Sequence, residues 1–264
     1  MSDPLLVTLG DVLAVALITP PADVMPQAST PVETRLLVGG QAAISACWIA
    51  EAGARARAVS ARSYDRLGDF VEAELADRGV ELQGPGTDGR TGLAAVIRTP
   101  GAGRTALTDR GVCRLLTAEG LREEWFEDAD ILHVSGYALL EEPSADAAER
   151  AVSLARAAGA QVSVDLACAD IVTPLLRERI SRIEPEIAFA TAAQAEAIGG
   201  IDDVADLPVI TDRDGLPAID PMGVSDAYAA GFLAAVVAGA DADDAAELGR
   251  QMADRCAGVE GPLP

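Results

Sequence analysis

Residues 220–226 read DPMGVSD, and residues 227–239 read AYAAGFLAAVVAG. Pro221 and Gly223 interrupt regular structure, whereas Ser225 and Asp226 are residue types that favour the first turn of a helix. We therefore predict a buried, alanine-rich helix that begins close to Asp226. The free backbone N–H groups at such a helix start form an anion site, which the helix dipole strengthens.

Asp226 can be interpreted in two ways at this position. A carboxylate beside an anion site can accept the proton of a hydroxyl, while the backbone amides of residues 223–226 stabilise a phosphoryl group in transfer. The same carboxylate can instead serve only as a helix cap, which is the commoner use of an aspartate there. These residues alone leave both readings open.

The composition narrows the class of protein. Half of the 264 residues are hydrophobic, the net charge is −22, and the sequence contains no Lys. Because so acidic a chain is repelled by phosphate backbones and anionic headgroups, we expect neither nucleic acid nor membrane as a partner. The longest apolar run follows Asp226 and is shorter than the roughly 20 residues of a membrane helix. With no signal peptide recognisable either, we expect a soluble, cytoplasmic protein.

The four cysteines lie far apart in the sequence and show no metal-site spacing. They are Cys47, Cys113, Cys168 and Cys256. We interpret them as small core residues of a protein in a reducing compartment, and we predict no metal held by protein ligands.

Apolar runs and helical stretches alternate along most of the chain. We predict strands at residues 5–9, 56–60, 131–134, 161–165, 187–190 and 209–211, and helices at residues 41–51, 69–78, 145–158, 171–182 and 192–198. Strands separated by helices of this length form a parallel sheet that is covered on both faces. Ligands of such sheets bind at the carboxyl ends of the strands, where Asp11, Asp165 and Asp226 are placed.

Two segments depart from this alternation. Residues 84–113 contain short strands at 93–97 and 105–108 between glycines and prolines, which predicts a hairpin. Residues 11–41 alternate apolar segments with prolines, a pattern of short strands and loops. Neither segment contains a glycine-rich phosphate-binding motif.

Several motifs resemble those of the ribokinase/PfkB family of carbohydrate and nucleoside kinases, and the likeness covers nearly the whole chain. The family signature is Asp-Thr-x-Gly-Ala-Gly-Asp followed by Ala-Phe-x-Ala-Gly-Phe, which Asp220, Gly223 and Asp226 match together with most of residues 227–232. Residues 39–40 (GG), 65–68 (DRLG) and 103–105 (GRT) resemble three further family motifs.

The resemblance implies one three-layer α/β domain over residues 1–264. Its sheet is Rossmann-like and mostly parallel, and a small β lid is inserted at about residues 12–34 and 85–110. The family transfers the γ-phosphoryl group of ATP, with Mg²⁺, to a hydroxyl of a sugar, nucleoside or similar small molecule. Asp226 then stands at the position of the catalytic base. Many members pair through the lid, so a homodimer through the lid is a further expectation.

The resemblance also assigns binding positions. They are the anion hole at Gly223, Val224 and Ser225, substrate positions at Asp11, Gly39, Gly40 and Arg104, and nucleotide positions at Thr191, Gln194, Thr211 and Gly215.

The departures from the family pattern cluster at these positions. Val15 and Ile44 replace an Asp and an Asn that bind substrate hydroxyls, which implies an acceptor with few hydroxyls. Gln194 replaces a Glu that organises Mg²⁺, for which a carboxylate is the better ligand. The nucleotide segment between Thr211 and Asp220 is short and has gained carboxylates.

Two functions of different classes follow. The first is an active but weakened kinase with Asp226 as base. The alternative is a catalytically inactive pseudokinase that serves in ligand binding, regulation or assembly, because a retained fold does not secure a retained function. A different enzyme that reuses the pocket is a third, smaller possibility.

Overall fold

A sheet of parallel strands forms the centre of the computed structural model, which describes residues 3–20, 27, 29–99, 103–166, 168–211 and 222–264. The strands in the described part of the chain are β1 (Leu5–Leu9), β2 (Leu13–Thr19), β3 (Glu33–Gly39), β4 (Arg55–Val59), β5 (Val80–Gln83), β6 (Leu93–Thr99), β7 (Gly103–Asp109), β8 (Ala129–Ser135), β9 (Gln161–Asp165), β10 (Ile187–Ala190) and β11 (Leu207–Ile210). The helices are α1 (Gln41–Glu51), α2 (Arg66–Asp77), α3 (Ser144–Ala157), α4 (Pro174–Ile183), α5 (Ala192–Ile198), α6 (Val224–Val237) and α7 (Ala242–Ala257).

The central sheet has the order β11-β10-β9-β8-β1-β4-β5. Every described strand pair in it is parallel. All the carboxyl ends therefore lie at one edge, and the side chains that follow β1, β8 and β9 meet there.

Helices cover both faces of this sheet and give the domain three layers. Leu5, Val7 and Leu9 of β1 enter one core, which α3 and α4 close. Leu6 of the same strand enters the other core, which α1, α2, α6 and α7 close. This alternation follows from the two-residue period of a strand that is buried on both sides.

A second, four-stranded sheet forms the lid, in the order β3-β2-β6-β7. Strands β2 and β3 pair antiparallel, β2 and β6 pair parallel, and β6 and β7 pair antiparallel. The predicted α/β class with a mostly parallel sheet and a small β lid is thus confirmed.

Most predicted elements are present, and the differences have local causes. We predicted a helix over residues 171–182, but α4 begins at Pro174, because the Thr173 side chain caps it by accepting a hydrogen bond from the Leu176 N–H at 3.2 Å. A proline at the first helical position loses no hydrogen bond, so it marks a start there rather than a break. Strand β5 and helix α7 were not predicted. No helix in the described ranges is long and apolar enough to cross a membrane.

Candidate active site

Asp226 lies in the first turn of α6, at the carboxyl edge of the central sheet. Gly223 precedes the helix with a φ of 85° and has no side chain that could cap it. Backbone in this left-handed region favours glycine, and a Cβ on Gly223 would lie 2.8 Å from the carbonyl oxygen of Pro262. The first-turn N–H groups of a helix lack partners within the helix, so residues 223–226 offer donors to an anion.

The Asp226 carboxyl is almost inaccessible, with only 8 % of the residue exposed. Burial raises its pKa from 3.8 to about 6, although the guanidinium of Arg104 on β7 and the hydrogen bond from Ser45 oppose that rise. The Ser45 hydroxyl lies 3.5 Å from Oδ1 of Asp226. A carboxyl with a pKa close to neutral can both accept and release a proton under ordinary conditions.

A second buried carboxyl, that of Asp165, lies next to Asp226. Asp165 ends β9 and is 2 % exposed. Its pKa is raised well above the usual range, first by burial and then by the negative charge of Asp226. The Gln41 side chain donates to Oδ1 of Asp165 at 2.9 Å and accepts from the Ser135 hydroxyl at 2.5 Å. Residues from β8, β9, α1 and α6 thus meet at one point.

The lid reaches this point through Arg104. This is the sole charged group from the lid whose effect on Asp226 is resolved among the described residues. Arg104 also lowers the pKa of Tyr137, although burial is the largest influence and raises it. The Tyr137 hydroxyl accepts a hydrogen bond from the Cys168 backbone N–H at 3.4 Å. Arg104 and Tyr137 therefore both lie close enough to Asp226 for their charges to influence one another.

Gly39 and Gly40, predicted to bind substrate, allow close packing at this edge. Gly40 has a φ of 89°, and a Cβ there would lie 2.2 Å from the backbone carbonyl oxygen of Asp11. A Cβ on Gly39 would meet a methyl group of Val15 at 2.4 Å. Both glycines are thus required by the fold, whether or not a substrate also touches them, and their substrate role stays a prediction.

Asp11, also predicted to bind substrate, is paired with an arginine. Nε and Nη2 of Arg110 donate to its two carboxylate oxygens at 2.8 and 2.9 Å. Nη1 of the same arginine reaches Glu141 at 3.2 Å. The pair links the end of the lid to the loop after β1, and an acceptor hydroxyl would have to compete with Arg110 for the carboxylate.

An apolar cluster covers the inner face of the lid. It consists of Val15, Leu17, Ala94, Val96 and Met222, with Leu37 packed against it. Met222 directly precedes Gly223, so the lid packs against the start of α6. Ile44, the second position at which an apolar residue replaces a polar residue of the family, is buried in α1. The side chains of this apolar cluster therefore cannot form hydrogen bonds with the hydroxyls of a polyol.

The predicted nucleotide positions divide into two kinds. Gln194 and Thr191 form a reciprocal capping box at the start of α5, and Nε2 of Gln194 donates to the Leu166 carbonyl at 3.0 Å. Because these hydrogen bonds occupy the Gln194 amide, the residue does not fit the role of the family's Glu, which organises Mg²⁺. Thr211 fits a nucleotide better, because its buried hydroxyl has no hydrogen-bond partner among the described residues. Gly215 lies outside the described residues.

The last residues of the chain return to the site. Trp48 of α1 donates its indole N–H to the Pro262 carbonyl at 2.8 Å, and Pro262 packs on Gly223. Glu260 forms ion pairs with Arg98 at 2.6 Å and Arg35 at 2.9 Å, both on the lid. Residues 260–262 thus connect the lid to the helix start.

Sequence reasoning missed several members of the site. Gln41, Ser45 and Ser135 were not given a role at this edge of the sheet, although Gln41 directly follows the two glycines. Their partners lie 94 to 181 residues away along the chain. The available signal was that Gln41 opens a predicted helix and Ser135 follows a predicted strand, at the same edge of the sheet.

Comparison with known proteins gives a consistent result. Residues 3–213 match the sequence profile described as the pfkB family carbohydrate kinase. A 5-dehydro-2-deoxygluconokinase of Listeria monocytogenes is 34 % identical over 134 residues, which cover 49 % of this chain and 41 % of that protein. Fructokinase-1 of Zea mays is 30 % identical over 177 residues, 64 % of this chain and 55 % of that protein. The chain spans about half the length of the curated relatives it matches.

Solved structures share the fold at lower identity. Adenosine kinase from Sinorhizobium meliloti superposes with a TM-score of 0.87 at 20 % identity, covering all of this chain and 96 % of the other. A putative ribokinase II from E. coli in complex with ATP and Mg²⁺ gives 0.82 at 19 % identity, covering 98 % and 94 %. At this identity the likeness shows the fold alone. The profile match extends over most of the sequence, and the chain therefore belongs to the pfkB family of carbohydrate kinases.

Proposed function

We propose that the protein transfers the γ-phosphoryl group of ATP to a hydroxyl of a small molecule such as a sugar or nucleoside. The observation that carries this proposal is the buried Asp226 carboxyl, whose pKa is raised to about 6, in the first turn of a helix whose N-cap, Gly223, has no capping side chain. A base, an anion site and a cationic residue on the lid, Arg104, lie together.

Each of these groups has a distinct part in the proposed reaction. Asp226 accepts the proton of the acceptor hydroxyl as its oxygen bonds to phosphorus and the bond to the ADP oxygen breaks. The amides of Gly223, Val224 and Ser225 hold the charge on the transferring group. Arg104 favours anionic ligands at the mouth of the site, and Thr211 offers at the nucleotide end a hydroxyl that has no partner within the described ranges. Bound ATP supplies the phosphoryl group.

Calorimetric titration of ATP and ADP, with Mg²⁺ and then with EDTA, tests this proposal. We expect binding in the micromolar to low-millimolar range, followed by phosphorylation of one member of a sugar and nucleoside panel. Because Gln194 is committed to its capping box, we expect a smaller dependence on Mg²⁺ than a carboxylate at that position would give. No binding at millimolar nucleotide would contradict the kinase function.

A pseudokinase is the second candidate, and a specific observation favours it. The inner face of the lid is a buried apolar wall, and Asp11 and Gln194 are both engaged within the protein. A chain of this kind would bind an unphosphorylated ligand or a protein without turning over ATP. Ligand binding without nucleotide binding in the same titrations would support it.

We further propose that the protein pairs through the outer face of the lid, in the cytoplasm. Leu36, Ala16, Ala95 and Leu107 lie side by side across the four strands. Leu36 is 48 % exposed and Leu107 62 % exposed. An apolar row with two exposed leucines across a sheet face is typical of an interaction surface.

A charge in this row tests the pairing. We expect Leu107→Glu to shift the protein from dimer to monomer in light scattering coupled to size exclusion, because two carboxylates would be buried at the interface. Leu175→Glu is the matched control, since Leu175 lies on α4 and is 47 % exposed. A wild-type monomer, or equal dissociation by the control, would contradict a lid dimer.

A further inference from the structure

Residues 260–262 form a strap that lies between the lid and the start of α6. The strap follows α7, which ends at Ala257. Gly261 and Pro262 are buried, whereas the side chain of Glu260 is 32 % exposed. Glu260 contacts the lid, and Pro262 contacts α1 and Gly223. One short piece of chain thus touches both parts of the site.

Glu260 joins two strands of the lid through a single carboxylate. Oε1 accepts a hydrogen bond from Nη2 of Arg98 on β6 at 2.6 Å, and Oε2 pairs with Nη2 of Arg35 on β3 at 2.9 Å. Strand β2 lies between these two strands, and Arg98 also donates to the hydroxyl of Thr19 on β2 at 3.3 Å. The strap is therefore tied to three strands of the lid.

Gly261 extends this contact to the apolar cluster of the lid. A Cβ on Gly261 would lie 2.9 Å from Cδ1 of Leu37, which packs against that cluster. Met222 belongs to the same cluster and directly precedes Gly223. A larger side chain at position 261 would separate the strap from the lid, so their close approach depends on this glycine.

Pro262 is held at the other end of the strap by buried groups. The indole N–H of Trp48 donates to its carbonyl oxygen at 2.8 Å, and the thiol of Cys256 lies 4.0 Å from the same oxygen. The Cys256 thiol also donates to the Met222 carbonyl at 3.5 Å. A Cβ on Gly223 would lie 3.0 Å from the Cβ of Pro262. The backbone of the predicted anion hole is therefore supported from one side by the strap.

The short length of the strap makes its two ends dependent on each other. Three residues span at most about 10 Å, so the segment has little slack. If the lid moves away from α6, either the ion pairs of Glu260 break or Pro262 is drawn away from Gly223. A single exposed ion pair contributes little, but a carboxylate shared between two arginines forms a small network, which contributes more.

We propose that Glu260 is a positioning residue, which acts through Pro262 so that the lid, when it is bound to the strap, fixes Gly223 and with it the backbone amides of the anion hole. This proposal rests on the proposed function for the use of those amides in phosphoryl transfer. The link between the lid and Gly223 does not itself depend on a nucleotide, so it can be measured in the protein alone.

Hydrogen exchange followed by NMR tests this link at a distance from Glu260. The two reporters are the indole proton of Trp48 and the backbone amide of Ala227, which donates to the Gly223 carbonyl at 2.8 Å. We expect Glu260→Gln to accelerate the exchange of both protons by about 3- to 10-fold, which corresponds to the loss of one or two exposed ion pairs.

A matched control and a second variant separate this link from general effects of charge. Glu33 also pairs with Arg35, at 3.5 Å, but it lies on β3 itself, so we expect Glu33→Gln to leave both reporters unchanged. Arg98→Met removes one partner of Glu260 and should accelerate the exchange of both reporters. Combined with Glu260→Gln it should add nothing, because that substitution already removes both ion pairs.

Salt provides a test that needs no further substitution. Raising NaCl from about 0.05 M to about 0.5 M screens exposed ion pairs, so we expect it to accelerate the exchange of both reporters in the wild-type protein. The acceleration should be much smaller in Glu260→Gln, in which the ion pairs of the strap are absent. An equal response to salt in the two proteins would contradict the proposal.

The outcomes are distinct from those that test the kinase function. Unchanged reporters in Glu260→Gln and Arg98→Met, or equal acceleration in Glu33→Gln, would overturn the positioning role. An absence of ATP binding would overturn the kinase function and leave the exchange rates as they are. Once an acceptor is known, Glu260→Gln should lower kcat more than it raises KM, because the amides of residues 223–225 act mainly on the transition state.

Discussion

Replacing Asp226 by Asn is expected to slow the proposed phosphoryl transfer and, at neutral pH, to stabilise the fold. Loss of a general base costs roughly 100- to 10,000-fold in rate. The gain in stability has a separate cause, because burial raises the pKa of the Asp226 carboxyl from 3.8 to about 6. The folded protein binds this proton more tightly than the unfolded chain does, so ionisation of Asp226 destabilises the fold as the pH rises from about 4 to about 6.

Urea unfolding of both proteins at several pH values measures this effect. The Asn variant should be more stable by up to about 3 kcal/mol above about pH 7, and the difference should vanish below about pH 4. Asp65→Asn is a control with the opposite sign. Burial alone would raise the pKa of Asp65, but hydrogen bonds from Thr91 and Gly68 lower it. The Asp65→Asn variant should therefore be less stable than the wild-type protein at neutral pH. Equal losses of stability in the Asp65→Asn and Asp226→Asn variants would contradict the interpretation of Asp226.

Replacing Arg110 by Met is expected to destabilise the protein by about 3–5 kcal/mol, because it leaves the buried Asp11 carboxylate without its partner. Both oxygens of Asp11 accept hydrogen bonds from the guanidinium, and both residues are largely buried. The double variant Asp11→Asn with Arg110→Met should recover most of the loss, since no unpaired charge then remains.

A double-mutant cycle from urea unfolding gives the coupling between the two residues. Arg250→Met is the control, because its pair with Glu247 is exposed and should contribute less than about 1 kcal/mol. Additive effects of the Asp11 and Arg110 substitutions would show that the pair does not fasten the lid to the central domain. If coupling is strong, Asp11 is primarily a structural residue and its substrate role weakens.

Local patterns were sufficient for most of the fold. Residues 5–9, 161–165 and 187–190 are apolar runs of strand length and form β1, β9 and β10. Residues 41–51 form α1 over the predicted range. Strand β5 has only four residues, two apolar and two polar, and it lies at the edge of the sheet, so its sequence is too short to show a clear strand pattern. Helix α7 was overlooked despite its apolar positions at Ala245, Met252 and Ala253.

The site was less accessible to sequence reasoning. Asp226 could be placed at a helix start, because a cap and a glycine are local signals. Its raised pKa depends on burial and on Arg104, which lies more than a hundred positions earlier in the chain. The contact of Gln41 with Asp165 joins residues 124 positions apart. Such contacts arise from the order of the strands in the sheet, which no local pattern specifies.

The hydrogen bond from Trp48 to Pro262 offers a practical route to ligands. The protein has two tryptophans, and Trp125→Phe would leave the indole of Trp48 as the single fluorophore excited at long wavelength. That indole is bonded to the segment that packs on Gly223. A ligand that displaces this segment changes the polarity around the indole and with it the colour of the emission. The protein thus contains an optical probe for unlabelled compounds, which needs neither a coupled enzyme nor a known acceptor.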